Sequence, residues 1–157
     1  MLKIGDQAPD FETMDESGKP FKLSNQHGAK LVLYFYPRDH TPGCTAEACS
    51  LRDDYQLFKE AGIPIFGISG GSAELHQGFR KKYSLPFPIL MDEDLRIAEM
   101  YDAKSRFSIL GIGVKRITYL IDEEGKIEGI FGGQEGTDKV KSSQHAEQIA
   151  SFWGLKL

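Results

Sequence analysis

Hydrophobic and polar positions change period several times along the chain. Phe11 to Leu23 holds two short half-strands around Asp15-Glu16-Ser17-Gly18, whose polar residues and glycine predict a hairpin turn. Leu31-Val-Leu-Tyr-Phe-Tyr36 is apolar or aromatic throughout and predicts a central strand buried on both faces, ended by Pro37. From Ala46 to Ala61 the period becomes helical. Ala48, Leu51, Tyr55 and Phe58 recur at steps of three and four, and Gly62 closes the segment. Ile63 to Ile68 predicts the next strand, with Pro64 at its start. Ser72 to Tyr83 predicts a second helix, with Ser72 as its cap. Phe87 to Met91 reads as a short strand. Asp94 to Tyr101 reads as a third helix with Leu95, Ala98 and Tyr101 inward.

Asp102 to Val114 carries no clear period and has glycines at 111 and 113; it predicts a connection. Arg116 to Ile121 returns as a strand. Asp122-Glu-Glu-Gly125 predicts a tight turn, and Lys126 to Phe131 the partner strand. Thr137 to Phe152 predicts the last helix, with Val140, Ala146, Ile149 and Trp153 inward. The order is a hairpin, then β-α-β-α-β-α, then a hairpin and a helix. That order predicts an α/β fold with a mixed central sheet, helices on both faces and an N-terminal β-hairpin. No repeat or linker divides it, so residues 1–157 are expected to form a single domain.

Composition narrows the function. The chain has 157 residues, 40% of them hydrophobic, enough for a core without crosslinks. A net charge of −4, with both signs mixed along the chain, gives no footprint for nucleic acid or an anionic membrane. The start, Met1-Leu-Lys-Ile-Gly-Asp6, lacks a signal-like apolar core, and no run approaches the roughly 20 apolar residues of a membrane span. A cytoplasmic protein is expected. In that compartment two close cysteines point to catalysis, redox sensing or metal binding before a structural disulfide.

Both cysteines, Cys44 and Cys49, lie in one short stretch after the first buried strand. Pro42 suits a first helical turn and Thr41 can cap it. Cys44 then falls among unpaired amide hydrogens at the positive end of a helix, where an anionic thiolate is favoured. Cys49 is five residues on, a rise of roughly 7.5 Å on a helix. A disulfide needs alpha carbons within about 7 Å. The pair closes only if the start of the helix unwinds. The spacing is not that of a two-residue-gap dithiol, and two cysteines alone do not build a four-thiolate metal site. Two inert buried cysteines, a disulfide-exchange protein and a redox sensor stay open at this point. An anionic Cys44 needs a cation. Arg38 is near in sequence, Arg52 reads as helix surface, and Arg116 at a strand end suits a site residue and a surface strand cap equally.

Phe35-Tyr36-Pro37, Thr41-Pro42-Gly43-Cys44-Thr45, Glu47 and Cys49 together resemble the active-site motif of the peroxiredoxins. The five-residue step to Cys49 resembles the Q-type, or bacterioferritin comigratory, subfamily. The likeness extends through Gly5 to Phe11, Gly67-Ile-Ser69, His76 before Phe79, Tyr83 to Pro88 and Arg116 to Asp122. The resemblance implies a thioredoxin-like fold and a thiol-dependent peroxidase. Cys44 is then the peroxidatic cysteine, oxidised by hydrogen peroxide or an organic hydroperoxide to a sulfenic acid. Cys49 resolves it as an intramolecular disulfide, which thioredoxin or a similar dithiol protein reduces. Thr41 would hydrogen-bond the thiolate and the peroxide, and Arg116 would hold both charges. Pro42 would shield the site, and the amides of Gly43 and Cys44 would serve as donors. Glu47 would tie down Arg116 or favour the helix start, and is grouped with Pro42 and Gly43 on the substrate side. No metal or organic cofactor is implied, and a monomer is expected. His40 and His76 are read as supporting or surface residues, and Tyr36 and Phe35 as core and pocket wall. Arg38, His40, Met91 and Gly70-Gly71 depart from the pattern common at those positions, which bears on rate and substrate preference.

Overall fold

A computed structural model describes residues 1–105, 113–133, 135–136 and 138–155. The elements in chain order are β1 (Glu12–Met14), β2 (Pro20–Lys22), β3 (Leu31–Phe35), α1 (Pro42–Asp53), α2 (Tyr55–Glu60), β4 (Ile65–Ser69) and α3 (Ala73–Tyr83). They continue with β5 (Ile89–Met91), α4 (Arg96–Met100), β6 (Ile117–Ile121), β7 (Ile127–Phe131) and α5 (His145–Trp153). Strands β1 and β2 form the expected antiparallel hairpin. The other five form one sheet in the order β5-β4-β3-β6-β7. β3, β4 and β5 run parallel, joined by helical crossovers, while β6 and β7 are antiparallel. The sheet is therefore mixed, as the element order predicts.

β3 explains why the chain needs helices on both sides. Leu31, Leu33 and Phe35 point to one face, against Phe11, Phe21, Tyr101 and Tyr119. Val32, Tyr34 and Tyr36 point to the other, against Cys44, Ala48, Leu51, Phe79 and Ile149. Every β3 residue is buried, so water reaches neither face.

The same period of two positions the candidate cation. In β6, Ile117, Tyr119 and Ile121 belong to the first face, and Leu120 to the face carrying Cys44. Arg116 shares the parity of Thr118 and Leu120 and falls on the Cys44 side. Register completes the placement. Phe35 pairs with Ile117, so Arg116 lies at the end of the sheet where β3 turns into α1.

Two helices depart most from the sequence pattern. The helix starts at Pro42, as the proline predicts, but the stretch expected to run to Ala61 breaks at Asp54, whose ψ of 14° leaves the helical path before α2 resumes. The last helix begins at His145, after a 3₁₀ turn over Ser142–Gln144. Ahead of that turn the chain pairs with the sheet, the Gly132 amide donating to the Asp138 carbonyl at 2.7 Å. Serines 142 and 143 are weak interior helix formers, and inward Val140 imitates helical spacing without belonging to the helix. Thr137 and most of the Asp102–Val114 connection lie outside the described residues. No helix among the described residues is long and apolar enough to cross a membrane.

Candidate active site

Cys44 occupies the first turn of α1, with Pro42 leading it. The first intrahelical backbone bond runs from Thr45 to the Thr41 carbonyl at 2.8 Å. The helix offers the Gly43 and Cys44 amides no acceptor, so both are available to an anion. Cys44 is 1% exposed and a free thiol; Cys49 is also free and half-buried. α1 continues through both, so a bond between them requires its first turns to unwind.

Arg116 bridges the site. Its Nη2 donates to Cys44 Sγ at 3.3 Å, and its Nη1 to Glu47 Oε1 at 2.7 Å. The guanidinium passes close over Gly43, where a β-carbon would lie 3.0 Å from Nη2. Any side chain there would crowd the guanidinium and push it from its place. Burial works against the Arg116 charge, but Glu47 and Cys44 more than compensate and hold its pKa above the ordinary value.

Glu47 is 0% exposed. It lies behind Arg116 without solvent access, whereas its expected place is on the substrate side. Burial drives its pKa up to about 7, against the lowering effect of Arg116. Its second oxygen, Oε2, has no hydrogen-bond partner.

Thr41 stands at the N-cap position, but its side chain makes no cap bond. Its hydroxyl donates to the Arg38 carbonyl at 2.8 Å, so its proton is committed to the loop and not to Cys44. The expected cap and the expected donation to the thiolate are both replaced by this turn bond. Pro42, which leads α1, is exposed.

Two buried polar groups have no counterpart in the sequence reading. Asp39 is 4% exposed, accepts from Tyr36 Oη at 2.5 Å and pairs with His76 Nδ1 at 2.6 Å. His76 is fully buried, a support for the loop ahead of Cys44 as expected. His145, at the start of α5, is 0% exposed and lies 2.7 Å from Thr118 Oγ1 and 3.7 Å from Glu47 Oε2. Burial, with Arg116 adding to it, brings its pKa down to about 4 despite the bond to Gln148. No periodicity or motif marks it, because its partners are strand and helix residues far away in sequence.

A free thiol in a helical first turn, held by a guanidinium, at the end of a mixed sheet with helices on both faces, defines a thiol peroxidase of thioredoxin-like fold. The chain belongs to the AhpC/TSA family, whose pattern matches residues 4–130, and within it to the peroxiredoxin Q/Bcp subfamily. It is 43% identical over 129 residues to peroxiredoxin Bcp of Bacillus subtilis, covering 80% of this chain and 82% of the relative. It is 38% identical over 154 residues to peroxiredoxin Bcp of Escherichia coli, covering 96% and 95%. The crystal structure of peroxidoxin BcpB from Mycobacterium tuberculosis superposes with a TM-score of 0.85 at 30% identity, covering 100% of both chains.

Proposed function

We propose that Cys44 is the peroxidatic cysteine and Cys49 the resolving cysteine of this peroxidase, working within one chain. The contact of Arg116 Nη2 with Cys44 Sγ at 3.3 Å carries this reading. The Cys44 thiolate attacks the distal oxygen of a hydroperoxide. The O–O bond breaks, and the leaving oxygen takes up a proton and departs as water or an alcohol. Cys44 is left as a sulfenic acid. Arg116 and the amides of Gly43 and Cys44 face the charge that develops on the oxygens. α1 then unwinds, the Cys49 thiolate attacks the Cys44 sulfur, water leaves, and the disulfide closes. A thioredoxin or similar dithiol protein returns both thiols by exchange, itself becoming oxidised.

Thr41 shapes the loop through Arg38 and offers the peroxide a hydroxyl oxygen, while Pro42 shields the thiol. The chemistry needs no metal or organic cofactor. Residues 1–157 act as one domain and, with both cysteines in one chain, as a monomer in a reducing compartment such as the cytoplasm.

Cys44→Ser should abolish peroxide consumption. Cys49→Ser should keep one stoichiometric turnover and lose thioredoxin-coupled recycling. Full peroxidase activity in Cys44→Ser would sink the assignment.

A further inference from the structure

The interior behind Cys44 holds more acid than base. Cys44 and Glu47 are both buried, and both reach for the same guanidinium. Four titratable groups surround Glu47: Arg116 at the start of β6, Cys44 on its own helix, His145 of α5 and Tyr34 of β3. Tyr34 is fully buried with a hydroxyl lacking a partner, and burial first, then Glu47 and Cys44, keep it protonated. His145 is neutral near pH 7. Arg116 is therefore the cation available to two acids. If both were ionised, the cluster would carry a net negative charge away from water.

Glu47 Oε2 shows where a proton belongs. Gln148 has its amide orientation set by two bonds. The Lys141 amide donates to its Oε1 at 2.9 Å, and its Nε2 donates to the Lys139 carbonyl at 2.9 Å. The same Oε1 faces His145 Nδ1 at 2.9 Å, so Nδ1 carries the ring hydrogen. His145 Nε2 is then a lone pair taken up by the Thr118 hydroxyl at 2.7 Å, and it offers no hydrogen to Glu47 Oε2, 3.7 Å away. A carboxylate oxygen aimed at a lone pair has no support. No donor reaches Oε2, so a full negative charge on this carboxyl is half-supported and the neutral acid is the cheaper form away from water.

Resting on the peroxidase reading for the role of Cys44, we propose that Glu47 and Cys44 hold one proton between them in the reduced protein. When Cys44 ionises, Glu47 is the carboxylic acid, its hydrogen on Oε2, the oxygen that Arg116 does not hold. The thiolate then forms without adding net charge to the interior, and Arg116 is left to serve it. Burial that raises the Glu47 pKa to about 7 acts in the same direction. Glu47 is a positioning residue that sets the charge balance and does not touch the peroxide. Once Cys44 loses its charge, Arg116 has only Glu47 to pair with. The carboxyl ionises and its proton passes to solvent.

Infrared spectroscopy of the full chain tests this, with carbon-13 in the glutamate carboxyls and Cys49→Ser as background so that only Cys44 reacts. At a pH just below 7 the reduced protein should show a protonated-carboxyl band that shifts with the glutamate label. Alkylating Cys44 with iodoacetamide, which leaves the sulfur neutral, should weaken that band and release protons. Glu47→Gln should lack the band from the start; should that variant fail to fold, the label and the alkylation decide the matter without it. A reduced protein with no labelled protonated-carboxyl band, or a band indifferent to Cys44 alkylation, overturns the proposal. Peroxide consumption by the unaltered chain is measured separately. Normal turnover without the band removes proton sharing alone, and the expected band without turnover removes the peroxidase reading alone.

Discussion

The backbone amide of Ala146 donates to the hydroxyl of Ser50 at 3.0 Å. Ala146 lies in the first turn of α5, where an amide has no partner in its own helix, and Ser50 follows Cys49 on α1. One hydroxyl thus caps the last helix and ties it to the helix that must unwind. Ser50→Ala should cost about 1–2 kcal/mol by leaving that amide unsatisfied. It should also speed closure of the Cys44–Cys49 disulfide after a single equivalent of peroxide, because the tether breaks as α1 opens. Quenched-flow counting of disulfide against time checks the rate, and an unchanged or slower closure argues against α5 as a brake.

Arg116 contacts the thiol and the buried carboxylate at once. Arg116→Met removes the cation while keeping much of the side-chain volume. Loss of one preorganised donor of this kind lowers rates by about 10²–10³-fold. Stopped-flow peroxide reduction should show a fall on that order, in the step that oxidises Cys44 and not in disulfide closure. A variant within about threefold of the parent rate would place Arg116 outside the chemistry, since that factor is under 1 kcal/mol.

What could be read in advance followed from whether a signal is local. β3 was legible because burial on both faces leaves an unbroken apolar run, Leu31 to Phe35. Cys44 was legible because Thr41, Pro42 and Gly43 surround it in sequence. Patterning alone left Arg116 ambiguous and only the family resemblance pointed to it; the pairing of Phe35 with Ile117 shows why it reaches the site, since register is a tertiary fact. His145 and Asp39 stayed silent for the same reason. A polar residue is recognised as buried only through partners such as Glu47, Thr118 and His76, which lie elsewhere in the chain. Thr41 misled because an N-cap residue type can bond a turn carbonyl instead of the helix.

The loop between β3 and Cys44 is pinned at Asp39, whose two oxygens take Tyr36 and His76. Both members of the Asp39–His76 pair are fully shielded from solvent. His76→Leu strips one partner from a buried carboxylate, a change that typically costs about 3–5 kcal/mol. Urea denaturation should show a loss of that order. Asp39→Asn added to His76→Leu should restore part of it, because a neutral amide is cheaper to leave half-paired. A cost below about 1 kcal/mol would mean that the loop is held by its backbone and not by this pair.

Glu47 and His145 set opposing pH dependences. Burial lifts the Glu47 carboxyl from its ordinary 4.5 to about 7 in the folded chain, against the pull of Arg116. Its contribution to stability is full below 4.5 and is lost as pH rises through 7, because only the folded state binds the proton in that window. His145 falls from 6.5 to about 4 on folding. Its contribution is full above 6.5 and is lost as pH falls through 4, because there only the unfolded state binds the proton. Each slope is at most about 1.4 kcal/mol per pH unit, and where the windows overlap the two oppose each other. Glu47→Gln removes the downward slope and leaves that of His145. Urea denaturation across this range should show the stability of the variant, relative to the parent, rising with pH by up to about 3 kcal/mol. Parallel curves for the two proteins would mean that Glu47 keeps an ordinary carboxyl pKa inside the fold, so that Arg116 fully offsets its burial.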